Sequence, residues 1–365
     1  MKALKRIWSE LWLPIIIIVL IATFYKHILQ TYPRWIVDVY YSIFPPPVTD
    51  AVTGLPKQPP VLEPPVTGLI GNTFQGSLGP LIALLAALLT FMAFWVQFRA
   101  NLQQKRDLQI ERFENKFYEL LGFHKDNISE IKIDGHEGVV EKRKAFVSMY
   151  NEFRYSFWCC KDKYDELQKS GQLQHSYTDE QLVRLAYIFF LGGVGDNSDM
   201  VSKAINKNPV YKFEDKLFNE VLRYFKLIKS KSIRPAYFDY DGNPVVLRLR
   251  YLPWGGHQSR LGHYYRHLFQ TVKYVDGQDN DIITFEDKMD YLRMLRAQLS
   301  DYEQVLLYYN AISHYGEGWL KNNYFIKYKI IHNIPLPLAS FGISPTEKFK
   351  AELDKDPSLF EWAER

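Results

Sequence analysis

The sequence predicts a mainly α-helical protein with two transmembrane helices and an α-helical cytoplasmic domain that carries a small β-hairpin. Three features of the 365-residue chain support this fold class. Two apolar stretches lie near the N-terminus, and most of the later chain repeats apolar residues every three or four positions. One short segment places β-prone residues on both sides of a turn.

The two apolar stretches are Leu11–Leu29 and Leu78–Phe98. Each has about 20 residues, enough to cross about 30 Å of hydrocarbon as a helix. The basic residues before the first stretch also fit a signal peptide, but bulky Phe24 and Tyr25 stand where a peptidase requires small side chains, which favours a retained anchor. We therefore assign transmembrane helices to residues 1–30 and 78–98.

Lysine and arginine residues around these helices predict their orientation. They are concentrated before the first helix and after the second, which places both termini in the cytoplasm and residues 31–77 outside. The outer loop holds nine of the chain's 19 prolines and is expected to be extended, because proline disrupts both helices and sheets. It serves either as a spacer between the helices or as a strap that binds an external partner.

A stalk helix is predicted over residues 99–133, continuing from the second membrane helix. Its apolar residues recur at helical spacing and must be buried against the rest of the domain or against a second copy of the chain. We expect six apolar residues to couple the membrane to the domain, two at the end of the membrane helix and four in the stalk, namely Phe94, Phe98, Leu102, Ile110, Phe113 and Phe117. Gly122 is the expected weak point of this helix.

The cytoplasmic domain is assigned to residues 134–343 and a tail helix to residues 344–365. Helical spacing predicts helices at Glu141–Phe157, Asp179–Leu191, Glu214–Ile228, Gly262–Val275, Phe285–Ser313 and Pro345–Leu353. The last begins with Ser344, Pro345 and Glu347 at capping-box positions. Tyr237–Tyr251 is expected to form the hairpin, with its turn at Asp241-Gly242-Asn243.

Charge and cysteine usage limit the classes of partner. The net charge of +4 is too small to indicate nucleic acid, and lipid headgroups near the membrane helices account for part of it. The lipid bilayer is therefore the partner that the composition indicates. Cys159 and Cys160 are adjacent and fall on the reducing cytoplasmic side, so we interpret them as buried thiols rather than a disulfide.

Strong catalytic and cofactor motifs are missing from the sequence. It contains no Walker A motif, no HExxH, no CxxC and no GxSxG, and it calls for no cofactor. The glycine-rich run from Gly192 to Asn197 follows a predicted helix and lacks the phosphate-binding lysine. It is more typical of a helix C-cap and turn than of a phosphate cradle.

Candidate site residues cluster in Trp254–Tyr274. His263 and His267 lie four apart and could share a metal, but no third ligand is evident, so no metal site is assigned. The spacing of Arg260 and His267 resembles that of the HEPN ribonucleases, in which arginine steadies a phosphate and histidine handles a proton. The candidate catalytic residues are therefore Arg260, His263, Arg266 and His267. The structural alternative is an aromatic helix whose basic residues bond to neighbouring groups.

Three blocks of the sequence carry a family resemblance. They are FWVQFRANLQQKRDLQIERFENKFYELLGFHKDNISEI, RLGHYYRHLFQTVKYVD, and LRMLRAQLSDYEQVLLYYNAIS followed by KYKIIHNIPLP. In order and spacing they resemble the phage abortive infection proteins of the AbiC-like family. The resemblance implies a protein of the bacterial inner membrane that stops phage production by killing or arresting its host. It implies no catalytic residue.

The sequence and the resemblance together predict an effector that acts on the membrane and is not an enzyme. A helical domain would sense infection, and the stalk would transmit the change to the membrane helices through homo-oligomerisation. The trigger would be a partner defence protein or a phage component. Two alternatives stay open, a membrane-tethered HEPN-like ribonuclease and a non-toxic scaffold that recruits another effector.

Overall fold

The computed structural model describes residues 64–135, 138–195, 212–231 and 233–361, with isolated positions elsewhere. Clustering of the chain gives two compact units, Met1–Leu108 and Gln109–Arg365. The described part is mainly helical, as predicted, with short antiparallel strands. The first predicted transmembrane helix, Leu11–Leu29, lies outside the described ranges.

Helix α1 extends over Pro64–Glu130. It begins 14 residues before the predicted second transmembrane helix, inside the segment that we expected to be extended. Pro64 and Pro65 occupy its first positions, where no intrahelical N–H bond is required, so proline does not oppose the start of the helix. Among the described helices, the part of α1 from Ile82 onward is the one long and apolar enough to cross a membrane, with a mean hydropathy of 1.8 and its apolar window unburied.

Helix α2, Arg143–Lys169, is the centre of the second unit. A β-hairpin of β1, Lys132–Gly135, and β2, Gly138–Glu141, precedes it and was not predicted. Helix α2 packs against helices α3, Asp179–Gly192, and α4, Asp215–Lys231. It continues 12 residues beyond its predicted end, because Trp158, Cys159 and Cys160 stay buried in the same core.

The second hairpin is confirmed but short. Strand β3, Tyr237–Phe238, pairs antiparallel with β4, Pro244–Val245, around the predicted turn. Helix α5, Gln258–Asp276, follows and packs against α6, Phe285–Arg296. Helix α7, Asp301–Ile312, packs against both α2 and α3.

The predicted single helix Phe285–Ser313 is wrong, because the chain breaks between α6 and α7. Ser300 caps α7, and the side chain of Glu303 accepts a hydrogen bond from the Ser300 backbone N–H at 2.8 Å. This reciprocal capping box starts a new helix inside a continuous apolar pattern. The S-x-x-E signal was present in the sequence.

Short elements complete the C-terminal part. They are a 3₁₀ turn at His314–Gly316, α8 at Glu317–Lys321, α9 at Tyr324–Lys327, 3₁₀ turns at Leu336–Ala339 and Pro357–Leu359, α10 at Pro345–Lys348 and α11 at Lys350–Leu353. The predicted tail helix is therefore divided in two. Its cap is confirmed, since the Ser344 hydroxyl accepts from the backbone N–H of Glu347 at 3.2 Å.

Two glycines provide a matched test of the fold. Gly122 lies inside α1 with open space where a Cβ would stand, so Gly122→Ala should raise the free energy of unfolding by about 0.5–1 kcal/mol. Gly256 has a φ of +85°, and an added Cβ would lie 2.9 Å from the backbone oxygen of Gly192. Gly256→Ala should therefore lower the unfolding free energy by about 2 kcal/mol. Chemical denaturation of the detergent-solubilised chain measures both changes, and equal effects would contradict the structure.

Candidate functional site

The four candidate residues lie on the first half of α5. The opposite face of this helix is buried through Leu261, Tyr264, Leu268 and Val272, among others. His263 and Arg266 are exposed, whereas Arg260 and His267 are half-buried. The helix therefore separates the four residues into two different environments.

A buried carboxylate positions the start of α5. Glu152 of α2 is fully buried, and its Oε1 accepts a hydrogen bond from the backbone N–H of Trp254 at 2.7 Å. Its Oε2 lies 3.1 Å from Nε2 of His257, the N-cap residue of α5. The indole N–H of Trp254 also donates to the Ser156 hydroxyl at 2.8 Å. These bonds attach the loop before α5 to the central helix.

Backbone bonds hold the same loop against the end of α3. The N–H of His257 donates to the carbonyl of Leu191, and the N–H of Val194 donates to the carbonyl of Trp254, both at 2.9 Å. The described part of the glycine-rich run, Gly192–Gly195, therefore lies against this loop, and Gly193 has a positive φ. This placement agrees with the helix C-cap interpretation.

A cleft of about 630 Å³ opens beside α5, and we call it the α5 cleft. His263 and Arg266 supply its basic side chains, and none of its described lining residues is acidic. The segment after α7 closes it with aromatic rings and glycines. Gly316 is required there, because an added Cβ would lie 2.3 Å from Oδ1 of Asn310, another lining residue.

Arg260 contacts the backbone of neighbouring elements. Its Nε donates to the carbonyl of Lys132 in β1 at 2.6 Å, and its Nη1 donates to the carbonyl of Gly256 at 3.3 Å. It lines two smaller cavities of about 360 and 400 Å³, the second of which His263 also lines. His267 lines neither of these cavities.

His267 packs instead against α1. Its ring meets that of Phe123 edge-on at 6.3 Å, and burial lowers the pKa of His267. His124 of α1 is 1% exposed, and burial, with smaller contributions from His267 and Arg143, lowers its pKa to about 4. Within the described residues, neither imidazole has a hydrogen-bond partner. The structure thus gives no pairing of Arg260 with His267, and their catalytic roles stay predictions.

The six coupling residues fall into two groups along α1. Phe94, Phe98 and Leu102 are 67%, 56% and 45% exposed. Ile110 is half-buried against the core, and Phe113 and Phe117 are buried within it.

Among the described residues, no group of three or more His, Cys, Asp or Glu side chains is placed to hold a metal ion. His263 and His267 lie four residues apart on α5, but His263 is exposed and His267 is half-buried.

Sequence analysis missed several residues of the site. Glu152 is the only acidic residue between Glu141 and Asp162, and its partners are about 100 positions away. Tyr315 and Trp319 lie beyond the segment that we singled out, yet they line the α5 cleft. This lone acidic residue in a stretch of basic and aromatic residues was the available signal for Glu152.

The buried histidine of α1 predicts a pH dependence of stability. Between pH 6.5 and about 4 the unfolded chain protonates His124, whereas the folded chain keeps it neutral, so stability is lost as the pH falls through this range. The full loss from this group is about 3 kcal/mol. Substitution of His124 by Leu should reduce the decrease in unfolding free energy between pH 7 and pH 5. Chemical denaturation at both pH values measures it, and a slope equal to that of the native chain would contradict the prediction.

Comparison with known proteins gives one family. The family model described as "Putative phage abortive infection protein" matches residues 256–337. No curated protein and no solved structure matches the chain. The matched segment contains α5 to α7 and, except for Leu191, every described residue that lines the α5 cleft. Residues 256–337 therefore match the phage abortive infection family, which confirms the predicted resemblance and connects the chain with phage defence.

Proposed function

We propose that this chain is a membrane effector of abortive phage infection. Its helical domain senses infection, and α1 transmits the change to a bilayer that the oligomerised chain disrupts. The observation that carries the proposal is the change in surroundings along α1, from exposed apolar residues to residues buried in an aromatic core. The family match supports the defence role.

The exposed part of α1 supports contact with lipid. Large apolar side chains there include Ile82, Leu89, Phe94, Val96 and Phe98, each more than half exposed. A continuous apolar surface of this kind is costly in water and is removed by a bilayer or by a second copy of the chain. The helix from Ile82 to Glu130 is also longer than one membrane crossing requires.

The buried part of α1 supports transmission from the domain. Phe113 stacks with Tyr274 of α5 at 5.6 Å and meets Tyr291 of α6 edge-on at 4.8 Å. The hydroxyl of Tyr291 also donates to Glu114 of α1 at 2.6 Å. We call these aromatic residues, together with Phe117, the α1 anchor. Because α5 and α6 both contact α1 through this anchor, a shift of either helix is passed to α1.

The remaining parts of the proposal come from the sequence. They are location in the bacterial inner membrane, both termini in the cytoplasm, self-association, and a trigger that is a phage component or a partner defence protein. The runner-up, a membrane-tethered ribonuclease that uses Arg260 and His267, receives no support from the placement of these residues. A scaffold that recruits another effector predicts that the chain alone is harmless.

Two neighbouring substitutions test the membrane role. Phe113 is unsuitable because an aspartate in the core would unfold the domain. Leu102 is exposed, so Leu102→Asp should leave the domain folded and abolish protection by placing a charge on the apolar surface. Asn101→Asp adds the same charge at an exposed polar position and should protect normally. Plating efficiency measures protection, and membrane fractionation checks insertion.

A membrane-potential dye in infected cells separates the mechanisms. Depolarisation before lysis and before RNA loss is expected for the native chain and for Asn101→Asp. A stable membrane potential together with cleaved cellular RNA would instead establish the ribonuclease, provided that the RNA stays intact in cells that carry His267→Ala. Full protection by Leu102→Asp would exclude transmission through α1.

A further inference from the structure

The charge of the α5 cleft suits an anion. Arg266 and His263 line it, and within the described residues neither side chain has a hydrogen bond or an ion pair. Acidic side chains are missing from the described lining. A guanidinium with no ion-pair partner among the described residues, at the wall of a cleft, is a ready partner for a phosphate oxygen.

The first turn of α5 adds hydrogen-bond donors to the same cleft. Gln258 and Ser259 line it and begin a helix of 19 residues. Their backbone N–H groups lie too early in the helix to find an intrahelical acceptor. The positive end of the helix dipole therefore faces the same region as Arg266, an arrangement that favours a bound anion.

Tyr265 also lines the cleft. It is 6% exposed, and its hydroxyl is buried without a hydrogen-bond partner among the described residues. The residue therefore adds surface to the lining but no accessible hydroxyl.

Aromatic rings from α5 and from the segment after α7 also line the cleft. Tyr315 is 40% exposed at the cleft, and Phe269 meets the buried ring of Trp319 edge-on at 5.3 Å. The cleft volume of about 630 Å³ lies within the range of small-molecule sites. An exposed ring beside a cationic wall suits a flat aromatic group joined to a phosphate.

We infer that the α5 cleft binds a mononucleotide. Arg266, His263 and the first turn of α5 hold its phosphate groups, and its base packs against Tyr315. This inference goes beyond the proposed membrane activity and does not depend on it, because binding is measured on the solubilised full chain.

Isothermal titration of ATP and GTP into the detergent-solubilised chain tests the inference. The native chain should bind at least one of the two, and Arg266→Gln should weaken binding more than about tenfold, because a charge-assisted bond is lost. Arg223→Gln removes an exposed arginine on α4, outside the cleft, and should bind as the native chain does. Tyr315→Ala should weaken nucleotide binding without changing the affinity for inorganic phosphate.

Three results would overturn the inference. They are failure of the folded native chain to bind either nucleotide, equal affinity of the native chain and Arg266→Gln, and binding of inorganic phosphate as tight as that of the nucleotides. Circular dichroism confirms that each variant is folded. A variant that binds the nucleotide normally but fails to protect against phage would bear only on the membrane role, not on nucleotide binding.

Discussion

The buried carboxylate of Glu152 is the interaction on which the arrangement of the second unit depends. A buried charge is tolerated only when it is paired and hydrogen-bonded, and Glu152 finds its partners in Trp254 and His257. Those residues are followed directly by α5, so the central helix determines where α5 begins. The bond from His257 to Leu191 then extends the same constraint to the end of α3.

Helical periodicity predicted the elements whose one face is buried. Helices α3 and α4 begin and end close to their expected positions. A capping box at Thr178 and Gln181 and the C-cap Gly193 mark the ends of α3, and polar residues mark the solvent side of α4. Helix α2 was predicted too short, because the residues around its predicted end, from Tyr155 to Cys160, are all buried and give no one-sided pattern there. The β1–β2 hairpin escaped notice because its strands have four residues each and bury only Ile133 and Val140.

The sequence predicted where the site lies, but not which residues contact one another there. The density of histidine and arginine drew attention to α5, and His263 and Arg266 do line its cleft. Arg260 and His267 lie two turns apart on the same side of α5, and their different neighbours, the Lys132 carbonyl of β1 and the Phe123 ring of α1, are not revealed by spacing alone. The family resemblance located the segment, and the fold explains why that segment encloses a cleft.

The cysteines of α2 have a practical consequence for the study of α1. Both are fully buried, and burial raises the pKa of each thiol, so neither is present as a reactive thiolate at neutral pH. They are also the only two cysteines of the chain. A thiol-directed spin label or crosslinker would therefore react only with a cysteine introduced at exposed Leu102 or Asn101. The native sequence already provides the background for measuring distances between copies of α1 in a membrane.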